Sequence, residues 1–216
     1  RPSEPAGGSR PPPASSETRA ERLLASAKAR ANNARGKPAQ ERVRIEEEAI
    51  DLVMDPADPR VLYAAMYARR RTPWSYEDGG RTGGIFKTTD AGRTWVKLAG
   101  GLPAVTGRIG LDVYRARPGI VMAVVGSNEG GQLAEFEERS RVGGVFRSED
   151  GGRTWTRTAD HTPRPFYFSQ VRIDPRDSSR VYLLGFDLYV SDDGGHTFRA
   201  RGARNLHPDL HAMWID

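Results

Sequence analysis

The sequence predicts an all-β fold, a β-propeller segment of about three four-stranded blades preceded by an N-terminal tail that is disordered or partly helical. Three observations predict it. A short turn motif, S/T-x-D-x-G-x-T-W/F, occurs three times between Thr88 and Phe198. A strand–turn–strand unit precedes each copy, and internal repeats of this length are the mark of stacked supersecondary units. No aromatic residue occurs before Tyr63, so the core must lie after the tail.

The tail occupies residues 1–45. Residues 1–16 are Pro, Gly, Ser and Ala with almost nothing to bury, and such a segment cannot offset its ordering entropy. Residues 17–35 have good helix propensity, but Leu23 and Leu24 are their only large apolar residues, so a packed face is missing. Val43 and Ile45 alternate with charged neighbours, a short strand signal. The net charge of +5 belongs here: residues 1–44 hold ten Lys/Arg and four Asp/Glu. The remainder is close to neutral and carries no nucleic-acid footprint.

The repeat region spans 46–216. Each unit reads as strands a, b, c and d, with an Asp/Pro-rich a–b turn and the repeated motif as the c–d turn. The first unit is expected near 50–54, 60–67, 83–88 and 94–98, within a blade of about 50–98. The second is expected near 108–114, 120–126, 143–148 and 154–158, within 108–158. The third is expected near 170–173, 180–185, 188–191 and 196–200, within 170–200. The start of a fourth is expected at 211–216. The b–c connection is long at 68–82 and 127–142 and nearly absent at 186–187.

The motif has local chemistry. Asp90, Asp150 and Asp193 can accept from backbone N–H groups within their turns, as can the Ser/Thr two residues earlier. Gly92, Gly152 and Gly195 supply a positive φ. Trp95, Trp155 and Phe198 pack a ring beneath the turn. A calcium loop would need alternating acidic positions and a Glu at position 12, and no copy has both.

These turns, with Ile50-Asp51-Leu52-Val53-Met54-Asp55-Pro56, Gly107-Arg108-Ile109-Gly110 and His211-Ala212-Met213-Trp214-Ile215-Asp216 as blade openings, resemble bacterial Asp-box (BNR) repeat proteins. That family is related to sortilin-type propellers and to xyloglucanase-like glycoside hydrolases. The resemblance covers about residues 46–216. It implies structural Asp-box turns on the face opposite the ligand site and an extracellular or periplasmic address. It also leads one to expect an Asp-box before Ile50, where residues 1–45 hold none. The chain has no signal peptide, and a ring needs more than three blades. A longer parent protein is therefore expected, with the remaining blades or self-association as partners.

Candidate site residues lie on the b–c and d–a connections, since loops on a rigid scaffold usually carry binding chemistry. Trp74, Tyr76, Phe136, Arg164 and Tyr167 are the candidates for ligand binding, suited to a glycan or a protein. Glycoside hydrolysis requires two carboxylates about 5–9.5 Å apart; Glu77 or Asp78 and Glu135 or Glu137 are the candidates. The arginine motif of sialidases, Phe/Tyr-Arg-Ile-Pro, is absent. His207, Asp209 and His211 form a loose metal-ligand pattern, weighed against a polar loop leading into a strand. No cofactor is expected. No stretch approaches the ~18 apolar residues of a membrane helix, and the chain has no cysteine. The leading expectation is a non-catalytic binding or scaffold segment; the alternative is a fragment of a xyloglucanase-like glycoside hydrolase.

Overall fold

A computed structural model describes residues 46–129, 139–164, 166–168, 170–201, 205 and 207–216. The predicted tail, and Glu135, Phe136 and Glu137, lie outside the described residues. The described chain is all-β and forms three antiparallel sheets in sequence. The first contains β1 (Glu46–Met54), β2 (Leu62–Arg71), β3 (Tyr76–Asp78), β4 (Gly84–Thr88) and β5 (Val96–Leu98). The second contains β6 (Ile109–Val113), β7 (Val121–Val125), β8 (Gly144–Ser148) and β9 (Thr156–Ala159). The third contains β10 (Gln170–Asp174), β11 (Asp177–Leu184), β12 (Leu188–Ser191) and β13 (Arg199–Ala200). Each is a meander, with orders β1-β2-β4-β5, β6-β7-β8-β9 and β10-β11-β12-β13. The first strands of successive sheets pack together, β1 on β6 and β6 on β10, as propeller blades do.

Two strips of core hold the blades together. Tyr63, Ala65 and Ile85 of the first blade pack against Ile109, Leu111, Val121, Ala123 and Trp155 of the second. The opposite face of the second blade, Met122, Val124 and Val145, packs against Val171, Ile173, Val181 and Leu183 of the third. The central blade is thus apolar on both faces, which explains the unbroken run Val-Met-Ala-Val-Val in β7, every residue of it buried.

The c–d turns are closed by their own side chains. In the second, Ser148 Oγ donates to Asp150 Oδ1 and accepts from Gly152 N, at 2.9 and 2.8 Å. Thr154 N donates to Asp150 Oδ1 and Thr154 Oγ1 to Oδ2, at 2.9 and 2.7 Å. Trp155 Nε1 donates to Gly152 O at 3.0 Å. The same bonds recur around Asp90, and the Ser, Asp, Gly and Thr bonds recur around Asp193. Hydrogen bonds from Thr94 and Thr154, backbone and hydroxyl, hold the Asp90 and Asp150 carboxyls well below the usual carboxylate range. At Asp193 burial opposes this and the bonds from Ser191 and Thr197 prevail.

The joints between blades use the unpaired edge of each first strand. Asp51 accepts from its neighbour Leu52 N at 2.9 Å and, across the joint, from Leu111 N at 2.8 Å. Asp112 repeats this, accepting from Val113 N at 3.0 Å and from Ile173 N of the third blade at 2.7 Å. Each carboxylate satisfies two edge N–H groups that no strand pairs, which also blunts a sheet edge. Burial pushes both carboxyls up, against these bonds and the charge of Arg172. Arg172, on the first strand of the third blade, instead donates, through Nε to Met213 O at 3.2 Å.

Three sequence expectations are corrected. The stretch 68–82 is mostly not loop: β2 runs on to Arg71, turns at Thr72–Ser75 and returns as β3. Thr72 N donates to Ser75 O at 2.8 Å and the two hydroxyls bond at 2.7 Å, closing the hairpin. The strand expected at 196–200 shrinks to Arg199–Ala200, because the residues before it belong to the c–d turn. Residues 211–216 form no strand; among the described residues no strand pairs with them in a ladder.

Candidate functional site

The b–c and d–a connections share one face of the arc. Two isolated bridges tie them together, Gly80 with Thr106 and Arg139 with His161. The a–b and c–d turns therefore occupy the other face. Tyr63 Oη and Lys87 Nζ of the first blade both donate to Gly151 O in the second c–d turn, at 3.1 and 2.7 Å. Those turns thus hold blade to blade.

On the b–c/d–a face the β2–β3 hairpin carries the first group of residues. Register places Arg69 opposite Asp78, Arg70 opposite Glu77 and Arg71 opposite Tyr76. Glu77 is exposed and pairs with Arg70 at 3.8 Å. Asp78, its neighbour, turns inward as strand alternation requires. Tyr67 donates to Asp78 Oδ1 at 2.5 Å, and Tyr67 and Tyr76 share a hydrogen bond between hydroxyls, also at 2.5 Å. Burial pushes the Asp78 carboxyl above the usual range, opposed by the Tyr67 bond and the charge of Arg108. Burial and the Asp78 charge push the Tyr67 phenol up strongly. Trp74 sits at the hairpin turn with 86% of its surface exposed.

The second group comes from the loop before β10 and from residues 207–211. Tyr76 meets Phe166 edge-on, with ring centroids 6.2 Å apart. The Arg164 guanidinium lies against Phe166, Tyr167 and Phe186 at 5.0, 4.8 and 5.4 Å. His211 touches the rings of Tyr167 and Phe168, each at 5.0 Å, and its Nε2 is 3.0 Å from Asp209 Oδ1. Leu210 N donates to Gly185 O at 2.9 Å and fastens this segment to the third blade. Arg164 and Asp209 both have positive φ, +43° and +128°. Such backbone costs of order 1–3 kcal/mol and gathers where a site over-determines it.

The structure therefore brings Tyr76, Arg164 and Tyr167 into one patch with the Asp78 network at its edge. Glu77 points away from Asp78, and Trp74 stands apart at the hairpin tip. His207 is exposed, and among the described residues no three His, Asp or Glu side chains gather as an ion site. Tyr67, Phe168 and Phe186 were not singled out by sequence, because each reads as an ordinary apolar position in or beside a strand. Chemically, the patch offers ring faces, a guanidinium and a hydroxyl–carboxyl chain. That combination suits a ligand with both C–H faces and hydroxyl groups.

No family model matches the chain. Over 101 residues it is 32% identical to an oligoxyloglucan-reducing end-specific xyloglucanase of Emericella nidulans. That stretch is 46% of this chain, and the chain spans 12% of the length of that curated relative. Among solved structures, a GH74 enzyme of Niastella koreensis is 22% identical, with TM-score 0.45, over 69% of this chain and 22% of that one. A GH74 xyloglucanase of Xanthomonas campestris is 20% identical, with TM-score 0.44, over 71% and 23%. YCF48 from Cyanidioschyzon merolae is 16% identical, with TM-score 0.43, over 69% and 38%.

Proposed function

We propose that this chain is a section of a glycoside-hydrolase-type β-propeller that binds a xyloglucan-class β-glucan on its b–c/d–a face. The observation that carries this is the 101-residue similarity to a xyloglucanase. The patch of Tyr76, Phe166, Tyr167 and Arg164 supports it with a surface of the right chemistry. In this reading the c–d turns are Asp-box hairpins of the BNR type, and the protein works outside the cytoplasm. Binding is the role proposed for the described residues; Glu135 and Glu137, the other carboxylate candidates, lie outside them.

Isothermal titration calorimetry with a xyloglucan heptasaccharide tests this, with laminarin as the contrast. The heptasaccharide is expected to bind, and Tyr76→Ala and Tyr167→Ala to weaken it about tenfold or more, as for loss of a stacking ring. Equal or absent binding of both glucans would overturn the reading. Reducing-sugar release that disappears in Asp78→Asn would convert it from a binding to a catalytic one.

A further inference from the structure

Tyr67, Tyr76 and Asp78 form a chain of hydroxyl and carboxyl groups running from the interior to the surface. Tyr67 is 2% exposed and Tyr76 36%. The two contacts, Tyr76 Oη to Tyr67 Oη and Tyr67 Oη to Asp78 Oδ1, are both 2.5 Å. A phenol has a single proton to give and can also accept. The direction of one bond in such a chain therefore fixes the direction of the next.

The space around Asp78 is built for this. A Cβ on Gly107 would stand 3.2 Å from Asp78 Oδ1 and 3.4 Å from Oδ2, so a side chain there would press on the carboxyl by a few tenths of an ångström. The charged groups that face it are few. Arg108 acts across the blade joint. Arg69 lies opposite in the hairpin but pairs with Glu48 at 3.5 Å. Glu77 and Arg70 pair with each other one register step away.

We propose that Asp78, acting through Tyr67, sets the hydrogen-bond polarity of the surface phenol of Tyr76 and so selects the ligand group that can dock there. With Asp78 ionised, Tyr67 must give its proton inward. Tyr67 oxygen then accepts from Tyr76, and Tyr76 presents only lone pairs to the outside, to be met by a ligand hydroxyl that donates. With Asp78 protonated on Oδ1, the oxygen that faces Tyr67, the carboxyl O–H donates to Tyr67, Tyr67 donates to Tyr76, and the Tyr76 O–H is released to donate outward. No covalent bond changes beyond the proton taken up from water. Asp78 and Tyr67 are positioning residues, and Tyr76 is the group in contact with the ligand. Burial, which pushes the Asp78 carboxyl up, places this reversal above the usual acid range of carboxylates.

The direct test needs no ligand. In the full chain, ¹³Cζ-labelled tyrosine and ¹³Cγ-labelled aspartate are followed by NMR across pH. Tyr76 is expected to show an inflection at the Asp78 midpoint and to lose it in Asp78→Asn. In Tyr67→Phe, Asp78 should still titrate while Tyr76 no longer responds. A Tyr76 that is silent while Asp78 titrates, or that still responds in Tyr67→Phe, would overturn the proposal; should Tyr67→Phe not fold, the Asp78→Asn comparison decides. A second arm rests on the glucan-binding reading: heptasaccharide affinity should change about 5- to 10-fold across the Asp78 midpoint, the size of one hydrogen bond, and be flat in Asp78→Asn. If wild type does not bind the sugar at any pH, the glucan reading fails, and the tyrosine titration still decides the polarity switch.

Discussion

Trp155 is the side chain whose removal should cost most. It is 5% exposed and belongs to the core shared by the first two blades. Its backbone N–H also donates to Gly100 O of the first blade's exit loop at 2.7 Å. A buried indole hides roughly 150–250 Å², which at about 25 cal/mol per Å² is a gross ~4–6 kcal/mol. Alanine keeps the backbone bond and part of that area, while the Nε1 bond to Gly152 O, worth about 1 kcal/mol, is lost. Trp155→Ala should therefore cost ~3–5 kcal/mol, the range seen for large core truncations. At a urea dependence of about 2 kcal/mol per M, the midpoint should fall by about 2 M. Urea melts followed by far-UV circular dichroism measure this without relying on indole fluorescence. Trp95→Ala, at a half-buried ring in the equivalent turn, should cost clearly less. Trp74→Ala should stay within about 0.5 kcal/mol of wild type. A Trp155 shift below about 0.5 M, or one no larger than that of Trp95, would refute the claim that this ring locks two blades together.

Gly101→Ala should also destabilise the first joint. Gly101 has φ +94° and a Cβ there would sit 2.2 Å from Trp155 O, so both backbone and neighbour must move; a melting-temperature drop of several degrees checks it. The two sets of aspartates should give opposite pH slopes. Asp90, Asp150 and Asp193 contribute stability present above the unfolded carboxylate pKa of about 4 and lost as pH falls through their lower folded values. The triple Asn variant should flatten that acid limb in thermal melts. Asp51, Asp78 and Asp112 have raised folded values, so their linked stability is greatest below about pH 4 and declines as pH rises through the folded values. Asp78→Asn should make this decline shallower. Lys87→Met removes the ammonium donor to Gly151 O and should weaken the first joint while leaving the third blade's hydrogen-exchange protection unchanged.

What the sequence disclosed followed the range of each interaction. The c–d turns were legible to the residue, because the side-chain bonds that close them run among Ser148, Asp150, Gly152, Thr154 and Trp155, within seven residues of one another, and their spacing records it. The repeat of a strand–turn–strand unit before each turn located the blades. The hairpin at Thr72–Ser75 was hidden by its polar, arginine-rich strands, which read as loop. The joint roles of Asp51 and Asp112 left no local signal, since their cross-joint partners, Leu111 and Ile173, lie about 60 residues on. Of the candidate patch, Tyr76, Asp78, Arg164 and Tyr167 were named from sequence as loop residues, but not the inward turn of Asp78 onto Tyr67, which depends on hairpin register.

The joints also say something about how such a chain can be lengthened. Ladder register makes Val113 and Ile173 equivalent: they face Val121 and Val181, which in turn face the turn serines Ser148 and Ser191. In the second blade that amide is already taken by its own Asp112. In the third it is open to Asp112 from behind, because the residue before Ile173 is Arg172. A tandem duplication of the second blade would set two carboxylates on a single amide, with no guanidinium between them. Blades of this protein are therefore not interchangeable modules: one side chain on each first strand decides which neighbour can follow, and growth by copying would require that residue to change first.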